Sequence, residues 1–233
     1  MHETIAQHDP QSRRSEVVAT ELGYLWSNLL QRGVIETHRT IGFCAIGDDE
    51  GSNTLSANLA LFLGSKGKRI ALVEASLRAQ TLAGIFQATP SPGLAEVLAD
   101  KASLRDAMRL QVAAGVDLVP AGESSDPFWS FTGDRFRAIA KELLTDRDLC
   151  LVDVPGLNRS PEASLVVRAL DAVILGVVAV GLDDEDHGVE SNRHHADVVR
   201  RNLTWLRSLG TPVLGAVVND LVHEIPTFAM KLM

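Results

Sequence analysis

The hydrophobic positions of this chain alternate between two kinds of pattern. Short unbroken runs of Val, Ile, Leu and Ala occupy IGFCAIG (41–47), KRIALVEAS (68–76), VDLVPAG (116–122), LCLVDVPG (149–156), AVILGVVAV (172–180) and PVLGAVVND (212–220). Between them, apolar residues recur at three- and four-residue spacing in 15–33, 54–67, 93–110, a long stretch from Asp126, 161–170 and 188–210. Runs that are apolar on both faces predict strands covered by helices on either side. Strand and helix alternation along the chain predicts an α/β fold, a doubly wound and mainly parallel sheet.

The first helix shows the signals most fully. Ser15 stands where a cap belongs, Val18, Leu22, Leu25 and Leu29 lie on one stripe, and Gly33 stops it. Residues 1–14 are polar and predict a flexible leader, so that 15–233 form one domain. No internal repeat, low-complexity tract or further linker interrupts them.

Composition narrows the functions. The formal net charge is −8, which argues against nucleic acid as a partner and against a cationic membrane-binding face. Cys44 and Cys150 sit far apart in apolar runs and match neither a zinc pattern nor a disulfide framework; buried thiols in a reducing compartment are the expectation. The first residues are too polar for a signal peptide. The run from Ala172 is shorter than the roughly 20 residues that span a bilayer. A cytoplasmic protein is expected, with any membrane contact made through a partner or a surface element.

The chemistry should sit in the first strand-to-helix turn, GDDEGSNT: Gly47, Asp48, Asp49, Glu50, Gly51, Ser52, Asn53 and Thr54. In a doubly wound sheet, ligands bind at the carboxyl ends of the strands, where helix N-termini point. A phosphate-cradling loop there offers backbone N–H groups, a lysine for the β/γ-phosphates and a hydroxyl for Mg²⁺. This loop has the glycines and no lysine.

At these residues the chain resembles the bacterial tyrosine kinases of capsule and exopolysaccharide synthesis, within the MinD/ParA-like P-loop ATPases. Their loop reads G-P-G-E-G-K-S-T-x-x-x-N-L-A. Gly47, Glu50, Gly51, Thr54, Asn58, Leu59 and Ala60 align with it. The resemblance extends over KRIALVEASLRAQTLAGIF, PGLAEVLAD, VDLVPAG with DPFWSF, LCLVDVPG (the Walker B strand) and VLGAVVND. It implies a P-loop NTPase-like fold, with Asn219 as the adenine contact.

The departures fall on chemistry. Ser52 replaces the lysine, Asn53 the Mg²⁺-binding hydroxyl, and Glu74 and Ser76 the two aspartates of the second acidic motif; of the family's acids only the Walker B aspartate, Asp153, remains in place. A unit-charge contact at about 4 Å is worth on the order of 4 kcal/mol near a protein surface. One lost attraction and one added repulsion, from Asp48 or Asp49, therefore weaken a nucleotide site by several powers of ten, at about 1.4 kcal/mol each. The C-terminal tyrosine cluster is missing, since Tyr24 is the only tyrosine. The ring-forming E-x-x-R-x-x-R element reads Glu21, Tyr24, Ser27.

The expectation is a pseudokinase with no catalytic residues, no resident metal and no required cofactor, weak ATP or ADP with Mg²⁺ being the residual ligand. The resemblance implies a membrane-bound polysaccharide chain-length or export protein as partner, and leaves a homo-oligomer open. Two alternatives stay open. One is an active MinD/ParA-type ATPase in polysaccharide or flagellar assembly with a cation from a neighbouring subunit, Lys66 and Lys68 being at the wrong end of the helix. The other is a non-nucleotide module with an acidic crevice. His187, His194 and His195 read as a solvated helix start rather than a metal site. Trp26, Phe128 and Trp129 read as packing or partner anchors, and the tail with Phe228, Met230 and Met233 as a docked or frayed end.

Overall fold

The computed structural model describes residues 10–47, 51–178 and 189–219. Helix α1 (Pro10–Gln31) precedes a single turn, α2 (Val34–Thr37). Strand β1 (Thr40–Cys44) leads to α3 (Ser52–Ser65), and β2 (Ile70–Glu74) to the short helices α4 (Thr81–Ile85), α5 (Leu94–Leu98) and α6 (Leu104–Ala107). An antiparallel pair, β3 (Arg109–Ala113) and β4 (Val116–Val119), is followed by α7 (Pro127–Ser130) and α8 (Arg135–Leu143). The chain continues through β5 (Leu149–Asp153), α9 (Ala163–Ala169), β6 (Ala172–Val178), α10 (Val189–Ser208) and β7 (Val213–Asn219).

The seven strands form one sheet in the order β3-β4-β2-β5-β1-β6-β7, parallel except at β3. Alternation of side chains along each strand divides the core in two. Ile41, Phe43, Ile70, Leu72, Leu149 and Leu151 face α1 and α3. Ala71, Val73, Cys150 and Val152 face the other side, against Leu94, Phe136, Val166 and Leu206. Both faces of β1, β2, β5 and β6 are apolar and buried, as their unbroken hydrophobic runs predict; β7, at the sheet edge, departs from that expectation, with Val218 68% exposed. Cys44 and Cys150 are buried free thiols. Among the described residues no helix is long and apolar enough to cross a membrane.

Three boundaries differ from the sequence reading, each for a local reason. Helix α1 begins at Pro10 and takes five residues of the predicted leader, so Ser15 is a helical residue rather than a cap. The fixed φ of proline suits a first turn, where its missing N–H is not needed. The helix expected over 93–110 breaks: Asp100 adopts φ 59°, Ser103 Oγ accepts from Asp106 N to start α6, and β3 begins at Arg109. The long helix from Asp126 divides at Gly133, whose φ of 83° no α-helix contains.

PGLAEVLAD is a structural joint rather than an ordinary surface helix. The N–H groups of Leu94 and Ala95 donate to Pro120 O and Ala121 O, at 2.8 and 2.9 Å. Glu96 accepts from Gly93 N, Glu123 N and Ser91 Oγ, and these bonds hold its carboxyl below the usual range against a desolvation that pushes it up. At Gly93 a Cβ would lie 2.3 Å from Gly122 N and 2.4 Å from Pro120 O. Backbone cannot yield there as a flexible side chain could. Gly93→Ala is therefore expected to lose about 1–3 kcal/mol of stability, the usual cost of overpacking. Urea unfolding of the two proteins measures this; an unchanged midpoint would contradict it.

Candidate functional site

The predicted loop leaves the carboxyl end of β1, in the middle of the sheet. Gly51 takes φ 79°, ψ 19° and turns the chain into α3. This left-handed conformation is open to glycine at no steric cost. Asp48, Asp49 and Glu50 lie outside the described residues. The loop after β5 braces the entry: Leu157 N donates to Ala45 O and Asn158 N to Ile46 O, both at 3.0 Å.

At the start of α3 the polar side chains find partners within the chain. Ser52, at the lysine position, is buried, and its Oγ donates to Asp153 Oδ1 at 2.9 Å. Asn53 turns its Oδ1 onto Thr54 N at 2.7 Å, so this acceptor is bound to the first turn of its own helix. Ser56 Oγ donates to Asn53 O at 2.9 Å.

Two carboxylates end neighbouring strands beneath this turn. Glu74 on β2 pairs in register with Asp153 on β5. Only 3% of Asp153 is exposed, and none of Glu74. Burial pushes the Asp153 carboxyl up to about 8; Ser52 pulls it the other way and Glu74 adds to the rise. Asp153 is thus held largely protonated below that pH. Burial drives the Cys44 thiol upward, with Asp153 adding to the rise, and burial likewise drives Cys150 to about 12, so neither thiol is a nucleophile.

Glu74 faces away from the loop's chemistry. Its Oε1 accepts from Leu82 N at 2.7 Å and its Oε2 from Ala121 N at 3.2 Å. Burial raises its pKa, against a pull from those bonds and from the N–H groups of Ala83 and Thr81. The longer side chain at an aspartate position ties α4 and the end of β4 to the sheet. Ser76 lies two residues on, partly buried, with its carbonyl accepting from Ala79 N.

Two further groups at this end of the sheet went unread in the sequence. Glu162 is 1% exposed, and its Oε1 accepts from Arg78 Nε at 3.3 Å, joining the loops after β2 and β5. Its Oε2, like Asn58 Oδ1 on α3, has no hydrogen-bond partner among the described residues. Arg78 belongs to the SLRAQ stretch already aligned, but the distant Glu162 carries no local signal. Lys66 caps the far end of α3, its Nζ 5.7 Å from the Phe62 ring, about 20 Å from Ser52 at 1.5 Å per residue.

Asn219 ends β7; its side chain lies outside the described residues, as do His187 and the tail with Phe228, Met230 and Met233. His194 and His195 fall on α10, their side chains likewise undescribed. Among the described residues no three His, Cys, Asp or Glu side chains form a metal-holding group. Tyr24 and Trp129 are exposed, whereas Trp26 packs partly buried against the α1–α3 core.

No family model matches the chain. It is 27% identical over 183 residues to an uncharacterized ATP-binding protein of Methanocaldococcus jannaschii, covering 78% of this chain. It spans 64% of that relative's length. It is 23% identical over 216 residues to the tyrosine-protein kinase YwqD of Bacillus subtilis, covering 92% of this chain and 84% of the kinase. In structure it resembles the kinase domain of the Escherichia coli tyrosine kinase ETK, with a TM-score of 0.77 at 19% identity over 95% of this chain and 83% of that one. The septum site-determining protein MinD of Pyrococcus horikoshii, solved with Mg-ADP, gives 0.63 at 20% identity over 84% and 77%. Bacterial tyrosine kinases are thus among the chain's homologues, and its fold is that of the MinD-like P-loop ATPases.

The Asp153 shift has a consequence for stability. The folded chain keeps this proton up to about pH 8, whereas the unfolded chain releases it near 3.8. Between those values the folded state binds more protons, so this group's contribution falls as pH rises, by up to about 1.4 kcal/mol per pH unit. Asp153→Asn keeps an acceptor for Ser52 and removes the titration. Relative to the parent chain, the variant is expected to gain stability steadily from pH 5 to about pH 8. Parallel urea titrations that show a constant difference would contradict the assignment.

Proposed function

We propose that this chain, a homologue of the bacterial tyrosine kinases, is a non-catalytic member that serves surface polysaccharide synthesis and export as a partner rather than as a phosphoryl donor. The observation that supports this most is the bond from Ser52 to Asp153. The residue at the lysine position reaches inward to the Walker B carboxylate, where a working site would aim a cation outward at the phosphates. Phosphoryl transfer depends on positioned positive charge and on metal held by such a carboxylate. A protonated Asp153 is a poor Mg²⁺ ligand, Asn53 is engaged with its own helix, and Glu74 holds α4.

On this reading the retained fold is a docking body. Its partner is an integral-membrane protein of polysaccharide chain-length control or export, met at the cytoplasmic face of the inner membrane. A second reading, an active MinD/ParA-type ATPase acting as a nucleotide switch, is favoured by the ATP-binding name of the archaeal relative. It requires a lysine or arginine from a second copy, to replace the charge absent at Ser52.

Incubation of the purified chain with Mg-ATP and a glutamate–tyrosine copolymer is expected to give no phosphotyrosine and no ADP above the buffer rate. Affinity purification from detergent-solubilised native membranes is expected to recover a polysaccharide-assembly membrane protein. Phosphotyrosine formation would overturn the non-catalytic reading; ADP release that rises with the square of protein concentration would favour the switch. Recovery of no membrane protein would remove the partner role.

A further inference from the structure

The turn after β4 presents an indole without burying it. Trp129 is 67% exposed on α7. Its backbone N–H donates to Asp126 Oδ1 at 3.3 Å, Pro127 fixes the first turn, and the Phe128 ring stands edge-on at 5.7 Å and 83°. Ser124 Oγ and Ser130 Oγ, 2.9 Å apart, close the loop that carries it. An isolated exposed aromatic is ordinary on a protein surface. This one lines a cleft of about 550 Å³, a volume typical of small-molecule sites.

The remaining walls of the cleft are polar and of both signs. Lys101, Glu123, Ser125 and Thr132 line it and are exposed. Arg135 forms a fixed wall, its Nε donating to Val97 O at 3.0 Å and its guanidinium paired with Asp100. One flat apolar platform beside short hydroxyls, a carboxylate and an ammonium matches a particular ligand chemistry. A pyranose ring has an apolar face of C–H groups and a rim of hydroxyls that both donate and accept. Protein anchors, by contrast, are set in desolvated pockets built from several apolar side chains. Here Ala95, Leu98 and Ala99 supply only the floor. The cleft also lies beside β4, three strands from β1 and the loop that precedes α3.

We propose that the cleft beside Trp129 is a carbohydrate-binding subsite, in which the indole stacks on the C–H face of a pyranose while Lys101, Glu123, Ser125 and Thr132 bond its rim hydroxyls. The assignment is independent of whether the loop before α3 binds nucleotide. A shallow subsite of this kind binds at about millimolar Kd, since one stacked ring and a few solvent-competed hydrogen bonds supply only about 4 kcal/mol.

The test is isothermal titration of the full chain with cellohexaose, laminarihexaose and maltohexaose, up to about 20 mM, with indole NMR shifts read in parallel. At least one hexasaccharide is expected to bind and to shift the Trp129 indole resonance. Trp129→Ala should weaken that binding by roughly tenfold or more, and Trp129→Phe by less. Trp205→Phe, on α10, should leave it unchanged, and the thermal midpoint of each variant shows that it folds. No binding by any of the three sugars would overturn the proposal. So would binding unaffected by Trp129→Ala, or a Trp129 resonance that moves with a random peptide library and not with sugar.

Discussion

Two acids end adjacent strands in the middle of this sheet, and the structure has to satisfy both without water. Glu74 and Asp153 are paired in register and almost wholly buried. Two neighbouring carboxylates removed from solvent cannot both ionise cheaply. The chain resolves this with its own groups. Glu74 takes backbone N–H donors from α4 and from the end of β4, while Asp153 takes the Ser52 hydroxyl and remains largely protonated near neutrality. The geometry of the strand ends, the start of α3 and the seating of α4 all follow from that solution.

A metal–nucleotide site uses the same positions differently. There the acids stay charged because a divalent cation neutralises them from the cleft side, while a lysine meets the phosphates. On the proposed reading Ser52 stands where that lysine would be, and its short donor points inward to Asp153. Under that proposal the buried acids find their partners in the protein itself rather than in a ligand. The fold is indifferent to the exchange, because Leu55, Leu59, Ala60 and Leu63 of α3 pack on Ile41, Phe43 and Leu72 whatever occupies the loop. Fold and chemistry are separable here.

The separability also explains what could be read from the sequence. The strands β1, β2, β5 and β6 announce themselves because both faces are buried, leaving unbroken apolar runs. The edge pair fares worse: β3 has only one residue, Ala113, fully buried, and its Arg109–Ala113 run merges with the helical pattern before it. Gly133 and Asp100 break predicted helices through backbone conformation, which periodicity does not register. At the candidate site, the resemblance singled out Ser52, Glu74 and Asp153 but not their partners. Which way Glu74 turns is decided by N–H groups contributed by residues 82 and 121, and the Arg78–Glu162 contact spans 84 residues. Such long-range pairings leave no local mark.

The central claim is that internal partners have replaced the ligand at this site. Thermal unfolding with and without Mg-ATP, for the parent chain and for Ser52→Lys, tests it most directly. A ligand present at 100 times its Kd adds about 2.7 kcal/mol of stability, a visible shift. The account predicts no shift for the parent chain up to millimolar Mg-ATP, and a shift in the variant once a cation is restored beside Asp153. Stabilisation of the parent chain by micromolar nucleotide would contradict it.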